Sequence, residues 1–330
     1  MGKSACRSHE VAVGALGSSV DTTTRLRHEF GPEVSRLKPL RPAAGLAVLG
    51  VHLGVALGAA LVCQAAIAAS RLGWLLLVPT GVLIGSRMRA LGNIVHECTH
   101  NSFVRSSRWN RVLGELLCVL DFGSFTAYRR IHLSHHRYLG DTVRDLDLAE
   151  RRELHLERPL GRLVTDCLVL AMSPRSYRAV FNPTLFTRED HWFLNAARVA
   201  WLGVVAFAVQ AVGWPVVLYA VLPYLTSYQV LKGWSDAIDH GGLVGARDGF
   251  ERSRNHILPV GALNWLFLPR NDAYHLVHHL FPRLPTRYYS RVHAAMLGNR
   301  VYASRDHVMP IRGIRSPALV PSVEPTSGRT

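Results

Sequence analysis

Residues 43–69 read AAGLAVLGVHLGVALGAALVCQAAIAA, a run that contains no Asp, Glu, Lys or Arg. A helix needs about 20 mostly apolar residues to cross a hydrocarbon core of ~30 Å, so this run is long enough to span a membrane. Ser70, Arg71 and Gly73 interrupt it, and a second apolar stretch follows at 72–91. The two stretches together predict an antiparallel pair of transmembrane helices.

A second pair of apolar stretches lies at 194–213 and 215–233, with Gly213, Trp214 and Pro215 marking the turn between them. The composition agrees with partial burial in a bilayer, because charged residues make up 18% of the chain against roughly 25% in an average soluble protein. A hydrophobic content of 48% also excludes a disordered or fibrous chain. The sequence therefore predicts an all-α integral membrane protein with four transmembrane helices in two hairpins.

Lys and Arg are distributed unequally about these predicted spans. Of the 38, seven lie in 1–42, seventeen in 86–198 and thirteen in 232–330, whereas Arg71 lies alone between the spans of the first hairpin. The positive-inside rule then places the N-terminus, the middle region and the C-terminus in the cytoplasm. The net charge of +15 is explained by this topology and by attraction to anionic headgroups. Nucleic-acid binding is not needed, because no recognition fold accompanies the charge.

These boundaries divide the chain into three parts. Residues 1–42 are expected to form a cytoplasmic segment, 43–315 a membrane domain with a cytoplasmic helical cap, and 316–330 a disordered tail. Five scattered cysteines without a CxxC pair exclude a disulfide scaffold and a thiolate zinc site. The Ala-, Arg- and Gly-rich composition hints at a high-GC bacterial gene, which makes the bacterial cytoplasmic membrane the expected location.

The chain contains seventeen histidines, and eight of them fall in three clusters. The clusters are HECTH at 96–100, HLSHH at 132–136 and HLVHH at 275–279. Positions three or four residues apart lie on one face of a helix, so the imidazoles of each cluster can point at a common centre. Eight neutral imidazoles exceed what one four- to six-coordinate ion can use, which favours two metal ions held by the cytoplasmic cap.

A ninth histidine comes from the second hairpin. About 25 residues separate the turn near Arg71 from His96, and ~26 separate Trp214 from His240. At ~1.5 Å per residue each distance is ~37 Å of helix, so both histidines emerge at nearly the same height above the turns. His240 is therefore a further candidate ligand. The predicted metal ligands are His96, His100, His132, His135, His136, His240, His275, His278 and His279. The acidic residues predicted to orient imidazoles through their second nitrogens are Asp236, Asp239, Asp145 and Glu97.

The clusters resemble the histidine boxes of the membrane fatty-acid desaturase and hydroxylase superfamily. The similar stretches are HECTHNSF at 96–103, AYRRIHLSHHRYLGDTVRDLD at 127–147, and NDAYHLVHHLFPRLPTRYY at 271–289, which has the family's Phe-Pro-x-x-Pro continuation. His240 in SDAIDHGG matches the extra histidine that such enzymes carry after their last span. The resemblance covers roughly residues 90–297, with one departure: some acyl-CoA desaturases have Asn where this chain has Asp236.

This resemblance implies two non-haem irons bound by the nine histidines, O2 as co-substrate, and electrons from an external donor such as ferredoxin with its reductase. The implied reaction is oxidation of an unactivated C–H bond in an acyl or lipidic substrate, with desaturation favoured. Hydroxylation of a lipid, a carotenoid or a specialised-metabolite intermediate by the same centre is the alternative. The residues alone agree with iron over structural zinc, which prefers four ligands, often including Cys.

Two other functions compete with this interpretation. A zinc peptidase is suggested by Glu97 after His96, but hydrolysis would not explain the other six or seven histidines. A non-enzymatic membrane metal-handling protein would place ionisable groups at mid-bilayer inside several spans, whereas here only His52 lies at that depth and the histidine clusters lie outside the spans. His256 has no partner at helical spacing and is not predicted to be a ligand.

Overall fold

A computed structural model describes residues 21–151, 155–156, 158, 161–246 and 249–309. The tail predicted at 316–330 lies outside these residues, as do the first twenty of the N-terminal segment. Within the described part the protein is all-helical, as predicted, and extended backbone pairs only at two isolated bridges. The α-helices are α1 (Thr22–Val34), α2 (Pro42–Ala69), α3 (Leu77–Thr99), α4 (Ser107–Leu120), α5 (Phe125–Tyr138), α6 (Leu146–Glu150), α7 (Leu163–Met172), α8 (Pro174–Val180), α9 (Trp192–Val212), α10 (Trp214–Val216), α11 (Gln229–His240), α12 (Gly261–Phe267), α13 (His275–Leu280), α14 (Tyr289–Met296) and α15 (Arg300–Ala303).

Three helices of the described chain are long and apolar enough to cross a membrane: Pro42–Ala69, Arg71–Thr99 and Trp192–Val212. The second of these begins with a 3-10 turn, Arg71–Leu76, which continues into α3. Gly73 lies so close to α2 in this turn that a Cβ would come within 2.3 Å of the Ala66 backbone. The reversal between the two helices therefore depends on a residue without a side chain.

The fourth predicted span, 215–233, lies in a helical stretch that changes between α and π geometry. After α10, the segments Val217–Val221 and Tyr224–Tyr228 are π-helical, and α11 follows. This stretch packs closely on α3, because a Cβ at Gly85 would lie 2.7 Å from the backbone nitrogen of Tyr228. The structure thus gives three apolar helices of spanning length, with a mixed helix packed beside them.

The short helix α13 is held almost entirely away from solvent. All six of its residues are buried, and Leu276, Val277 and Leu280 pack in a core that includes residues of α1 and α14. Asn255 accepts hydrogen bonds from the backbone N–H groups of Leu276 (3.0 Å) and Val277 (3.4 Å). These bonds satisfy donors that the first turn of a helix leaves free. The packing and the capping bonds fix the direction in which α13 presents its histidines.

A buried ion pair ties α9 to the segment before α5. The Arg198 guanidinium donates to the Asp190 carboxylate (2.7 Å) and to the Gly123 carbonyl (2.9 Å), and both charged side chains are 1% exposed. Asp190 also accepts a hydrogen bond from the Ser124 hydroxyl, at 2.9 Å. Because Ser124 precedes α5, this pair helps to set the position of the helix that carries the second histidine cluster.

Replacing Asp190 with Leu is expected to destabilise the protein strongly, since the Arg198 charge would remain buried without a carboxylate to balance it. The expected cost is about 3–5 kcal/mol of unfolding free energy. The thermal midpoint in detergent, followed with a thiol-reactive dye on the buried cysteines, measures it. The matched control is Glu189→Gln, which breaks the exposed pair with Arg130 (2.8 Å) and should cost less than about 1 kcal/mol. Equal midpoints for the two variants would contradict the prediction.

Candidate metal centre

Four helices bring the nine predicted histidines together. α3 contributes His96 and is followed directly by His100, α11 ends at His240, and α5 and α13 each contribute three. The spacings HxxxH and HxxHH place the side chains of each cluster on one side of its helix. The helices meet with these sides facing inward.

Five of the histidines form a first group, in which one ring nitrogen of each lies within 4.8 Å of the others. The Nε2 atom of His278 lies 2.8 Å from that of His96 and 2.8 Å from that of His136. The Nε2 atoms of His132 and His100 are 2.9 Å apart. The first group consists of His96, His100, His132, His136 and His278.

The second group is made of His135, His240 and His279, whose ring nitrogens also lie within 4.8 Å of one another. His275 adjoins it, with its Nε2 atom 2.9 Å from that of His240 and 2.9 Å from that of His279. His135 and His136 are neighbours in sequence but belong to different groups. Successive residues of an α-helix point about 100° apart, because the helix has 3.6 residues per turn.

The protonation of the second group shows that its nitrogens suit a cation. The Nδ1 atom of His240 lies 2.8 Å from the Arg252 carbonyl oxygen, which can only accept, so this nitrogen carries the proton. The Nδ1 atom of His135 faces the Asp145 carboxylate at 3.1 Å in the same way. Both Nε2 atoms then present lone pairs, and they are only 3.0 Å apart. Such a contact is favourable when the two nitrogens share a metal ion, so the residues fit one.

Burial keeps these imidazoles neutral, which is the form that binds metal. Loss of solvation lowers the pKa of seven of them well below its usual range, and neighbouring histidines lower it further. Neutral imidazole suits Zn, Cu, Fe and Ni alike, so the donor set indicates a metal without selecting one. The seven are His100, His132, His136, His240, His275, His278 and His279.

Of the four predicted acidic residues, Asp145 contacts a histidine most directly. It is fully buried and also accepts hydrogen bonds from the backbone N–H groups of Gly140 (3.1 Å) and Leu148 (3.0 Å). Burial alone would raise the pKa of this carboxyl, but its hydrogen bonds, with that of His135 foremost, outweigh burial and lower it. Asp145 is therefore held as a carboxylate that fixes the ring of His135.

Asp239 lies between two histidines. One carboxylate oxygen is 3.4 Å from Nδ1 of His275, and the other is 3.5 Å from Nε2 of His256. His256 is completely buried, and within the described residues neither of its ring nitrogens makes a hydrogen bond. Its closeness to Asp239 depends on the folding of the chain after α11, and no spacing in the sequence indicates it.

The other two acidic residues lie against arginines. Asp236 is 3.1 Å from Arg151, and Glu97 accepts a hydrogen bond from Arg270 at 2.9 Å. Glu97 also accepts the backbone N–H of Thr286 at 3.2 Å, which links α3 to the segment after α13. These ion pairs stabilise the packing of the helices that carry the histidines.

Two partners of the site were not predicted from the sequence. The Tyr289 hydroxyl lies 2.9 Å from Nδ1 of His278, and the Arg252 carbonyl holds His240. A backbone carbonyl has no sequence signature. Tyr289 is at the end of the stretch that resembles the third box, eleven residues beyond His278, and nothing in that spacing indicates contact.

Two cavities approach the histidines, and they share no lining residue. The first, which we call the apolar cavity, has a volume of about 540 Å³ and lies among α2, α3, α4 and the stretch 215–228. The second, the polar cavity, has a volume of about 500 Å³ and reaches His136 and His279. Residues lining the apolar cavity include His52, Leu57, Met88, Val95, Asp121 and Tyr228. Those lining the polar cavity include Arg27, His136, Arg137, Arg144, Arg252 and His279.

Comparison with known families agrees with this arrangement. The sequence model described as "Fatty acid desaturase" matches residues 72–311, which include all nine histidines. The chain belongs to the fatty acid desaturase family. The resemblance seen in the histidine boxes is thereby confirmed, and this fatty acid desaturase family member is a desaturase-like oxidoreductase of the membrane, with histidine groups that could bind metal.

Several desaturases are similar to it in sequence. A dihydrorhizobitoxine desaturase of Bradyrhizobium elkanii is 27% identical over 290 residues, which are 82% of this chain and 80% of that protein. A sphingolipid delta(4)-desaturase of Drosophila melanogaster is 28% identical over 197 residues, or 58% of this chain. An sn-2 acyl-lipid omega-3 desaturase (ferredoxin), chloroplastic, of Helianthus annuus is 25% identical over 249 residues, or 67% of this chain. The desaturase-family chain aligns with 57% and 55% of the lengths of these last two relatives.

Proposed function

We propose that this protein uses two irons and O2 to oxidise an unactivated C–H bond in an acyl or lipidic substrate, with desaturation as the favoured outcome. The observation that carries the proposal is the pair of histidine groups, which offer converging neutral nitrogens close to an apolar cavity. Names of relatives support a lipidic substrate, because they include sphingolipid and acyl-lipid desaturases. Bound iron would supply the chemistry that removes hydrogen from a methylene carbon.

The protein's own residues would hold and orient the metal ions. The first group would hold one ion, and the second group with His275 the other. Asp145, Asp239 and the Arg252 carbonyl would fix the tautomers of their histidines, so that Nε2 faces the metal. Burial of the rings keeps water away and maintains the neutral form.

A topology of four spans with a cytoplasmic cap is part of the proposal. Three apolar helices of spanning length support it, and the mixed helical stretch through 215–233 would be the fourth span. The unequal distribution of Lys and Arg supports placing both termini and the metal site in the cytoplasm. The proposed membrane domain covers 43–315, in a bacterial cytoplasmic membrane.

The apolar cavity is the proposed substrate site. Its volume of about 540 Å³ lies within the range of roughly 300–1,000 Å³ that is usual for ligand pockets. It is bounded by helices proposed to lie in the membrane, so a lipid chain would enter from the bilayer. Val95 lines this cavity and precedes His96, which brings its inner end close to the first group.

Electrons are proposed to come from ferredoxin with its reductase, through the polar cavity. This cavity reaches one histidine of each group, His136 and His279, and several arginines line it. An acidic donor would be attracted to such a positive surface. The name of the Helianthus annuus relative includes ferredoxin, which supports the same class of electron donor.

The decisive experiment is mass spectrometry of lipids and small metabolites from host cells that express the protein together with a ferredoxin system. His135→Ala is the inactive control, and His28→Ala, which changes an exposed histidine of α1, is the matched active control. A product lacking two hydrogens would establish a desaturase, and one gaining an oxygen a hydroxylase. If the wild-type profile matches that of His135→Ala, no lipid or metabolite of the host is oxidised and the proposed substrate class is wrong.

A further inference from the structure

A carboxylate lies on the wall of the apolar cavity. Asp121, directly after α4, accepts a hydrogen bond from the Tyr228 hydroxyl at 2.9 Å, and its backbone carbonyl accepts one from the Tyr224 hydroxyl at 3.1 Å. All three residues line the cavity, whose other walls are mostly aliphatic. The cavity therefore contains one polar cluster, formed by Asp121, Tyr224 and Tyr228, which we call the Asp121 cluster.

The position of Asp121 is unfavourable for a residue with only a structural role. It follows the last turn of α4, where the negative end of the helix dipole repels an acidic side chain. Burial raises the pKa of this carboxyl, although Lys232 and the two tyrosine hydroxyls oppose the shift. A neutral or basic residue at the C-terminal end of α4 would cost less free energy than a buried carboxyl. Asp121 is therefore a candidate for a functional role.

The two tyrosines come from an unusual part of the backbone. Tyr224–Tyr228 is a π-helical segment, and a second one, Val217–Val221, lies just before it. π-helical turns are rare and occur frequently at functional sites, because the wider turn redirects side chains. Here the segment directs Tyr224 and Tyr228 to the same residue, Asp121.

The Asp121 cluster lies close to the metal centre. A Cβ placed on Gly92 would be 3.5 Å from the Tyr228 hydroxyl, and Gly92 is one turn of α3 before His96. One helical turn rises by about 6 Å over four residues.

We propose that the Asp121 cluster binds a hydroxyl or amide N–H group of the substrate, and so selects chains that carry such a donor near the oxidised carbon. The Asp121 carboxyl accepts the hydrogen bond, and the two tyrosines hold the carboxyl in place. In an apolar cavity this group discriminates strongly, since a chain without a donor covers the Asp121 carboxyl without pairing the lone pairs that Tyr228 leaves free. The inference rests on the proposed function, because it assumes that the apolar cavity holds the substrate.

Binding tests this selectivity without requiring turnover. The iron-loaded full chain in lipid nanodiscs is titrated with octadecanoic acid and with a series of hydroxyoctadecanoic acids that differ in hydroxyl position, each displacing the fluorescent fatty acid cis-parinaric acid. At least one hydroxylated chain is expected to bind ten-fold or more tightly than octadecanoic acid. Asp121→Leu should remove this preference, and Tyr228→Phe should reduce it.

The control is Tyr177→Phe, which removes a tyrosine hydroxyl that donates to the Leu225 carbonyl (3.1 Å) outside the apolar cavity and should leave the preference unchanged. Iron content and thermal midpoint show whether each variant is folded. If Asp121→Leu does not fold, the binding preference of Tyr228→Phe decides the test. Equal binding of all chains by the wild type, or an undiminished preference in the variants, would overturn the inference. Turnover of the same acids with ferredoxin separates the two proposals: oxidation without a binding preference rejects only the Asp121 cluster, and a preference without oxidation rejects only the proposed reaction.

Discussion

Replacement of His135 by Ala is expected to abolish turnover and to lower bound iron from two per chain to one or fewer. His135 supplies one of the nitrogens of the second group, and its Nε2 atom lies 3.0 Å from that of His240. Without it, the second group keeps only two of its three metal-binding nitrogens, those of His240 and His279. Changing a residue that only hydrogen-bonds to a metal ligand costs up to about 100-fold in activity. Loss of the ligand itself is therefore expected to lower activity by more than that.

Iron per chain, measured by mass spectrometry of the metal, and product formation under single-turnover conditions measure this effect. His278→Ala makes the same change in the first group and should give a similar loss. The exposed His28→Ala variant should keep both iron and activity. A His135→Ala protein that is active and carries two irons would rule out the proposed ligand set.

Replacement of Asp145 by Asn is expected to weaken iron binding by about 10- to 100-fold, although the two side chains have nearly the same shape. The Asp145 carboxylate accepts the proton on Nδ1 of His135. The amide of Asn can donate to Nδ1 instead, which would move the imidazole proton to Nε2 and occupy the lone pair that faces the metal. Asn would also lose the charge that stabilises the metal-bound ring.

Titration of the iron-loaded protein with a chelator measures the change, because a more weakly held ion is removed at a lower chelator concentration. The matched control is Asp147→Asn, since the Asp147 carboxylate lies 3.9 Å from the same nitrogen and pairs with Arg151. Its effect should be clearly smaller. Retention of iron by Asp145→Asn at the wild-type level would show that this carboxylate does not control the tautomer of His135.

The apolar helices could be predicted from the sequence because hydropathy is a local property. The run at 43–69 corresponds to α2, Pro42–Ala69, and the stretch at 194–213 to α9, Trp192–Val212. The predicted span 72–91 lies within the apolar helix Arg71–Thr99, and α3 continues beyond it and includes His96. Polar residues in the last turns of α3 lower the hydropathy there, whereas packing in the protein interior stabilises these turns as helix.

The division of the nine predicted histidines between two groups could not be predicted. Spacing within a cluster shows that its side chains share a helix face, but not which cluster faces which. The division of α5 between both groups depends on the rotation of that helix against α3 and α13. The contacts of His256 with Asp239, and of Tyr289 with His278, likewise arise from long-range folding and have no local pattern.

The sharing of α5 between the two histidine groups limits how the length of this chain can vary. One residue inserted between His132 and His135 would turn the later histidines by about 100° around the helix axis. The first would then take the direction of His136 and the second that of the exposed Arg137, so the second group would lose its ligand from α5. A residue added to the loop between α5 and α6, outside the helix, would leave those directions unchanged. Among homologous chains, differences in length should therefore accumulate between the histidine clusters, whereas the spacing inside α5 stays constant.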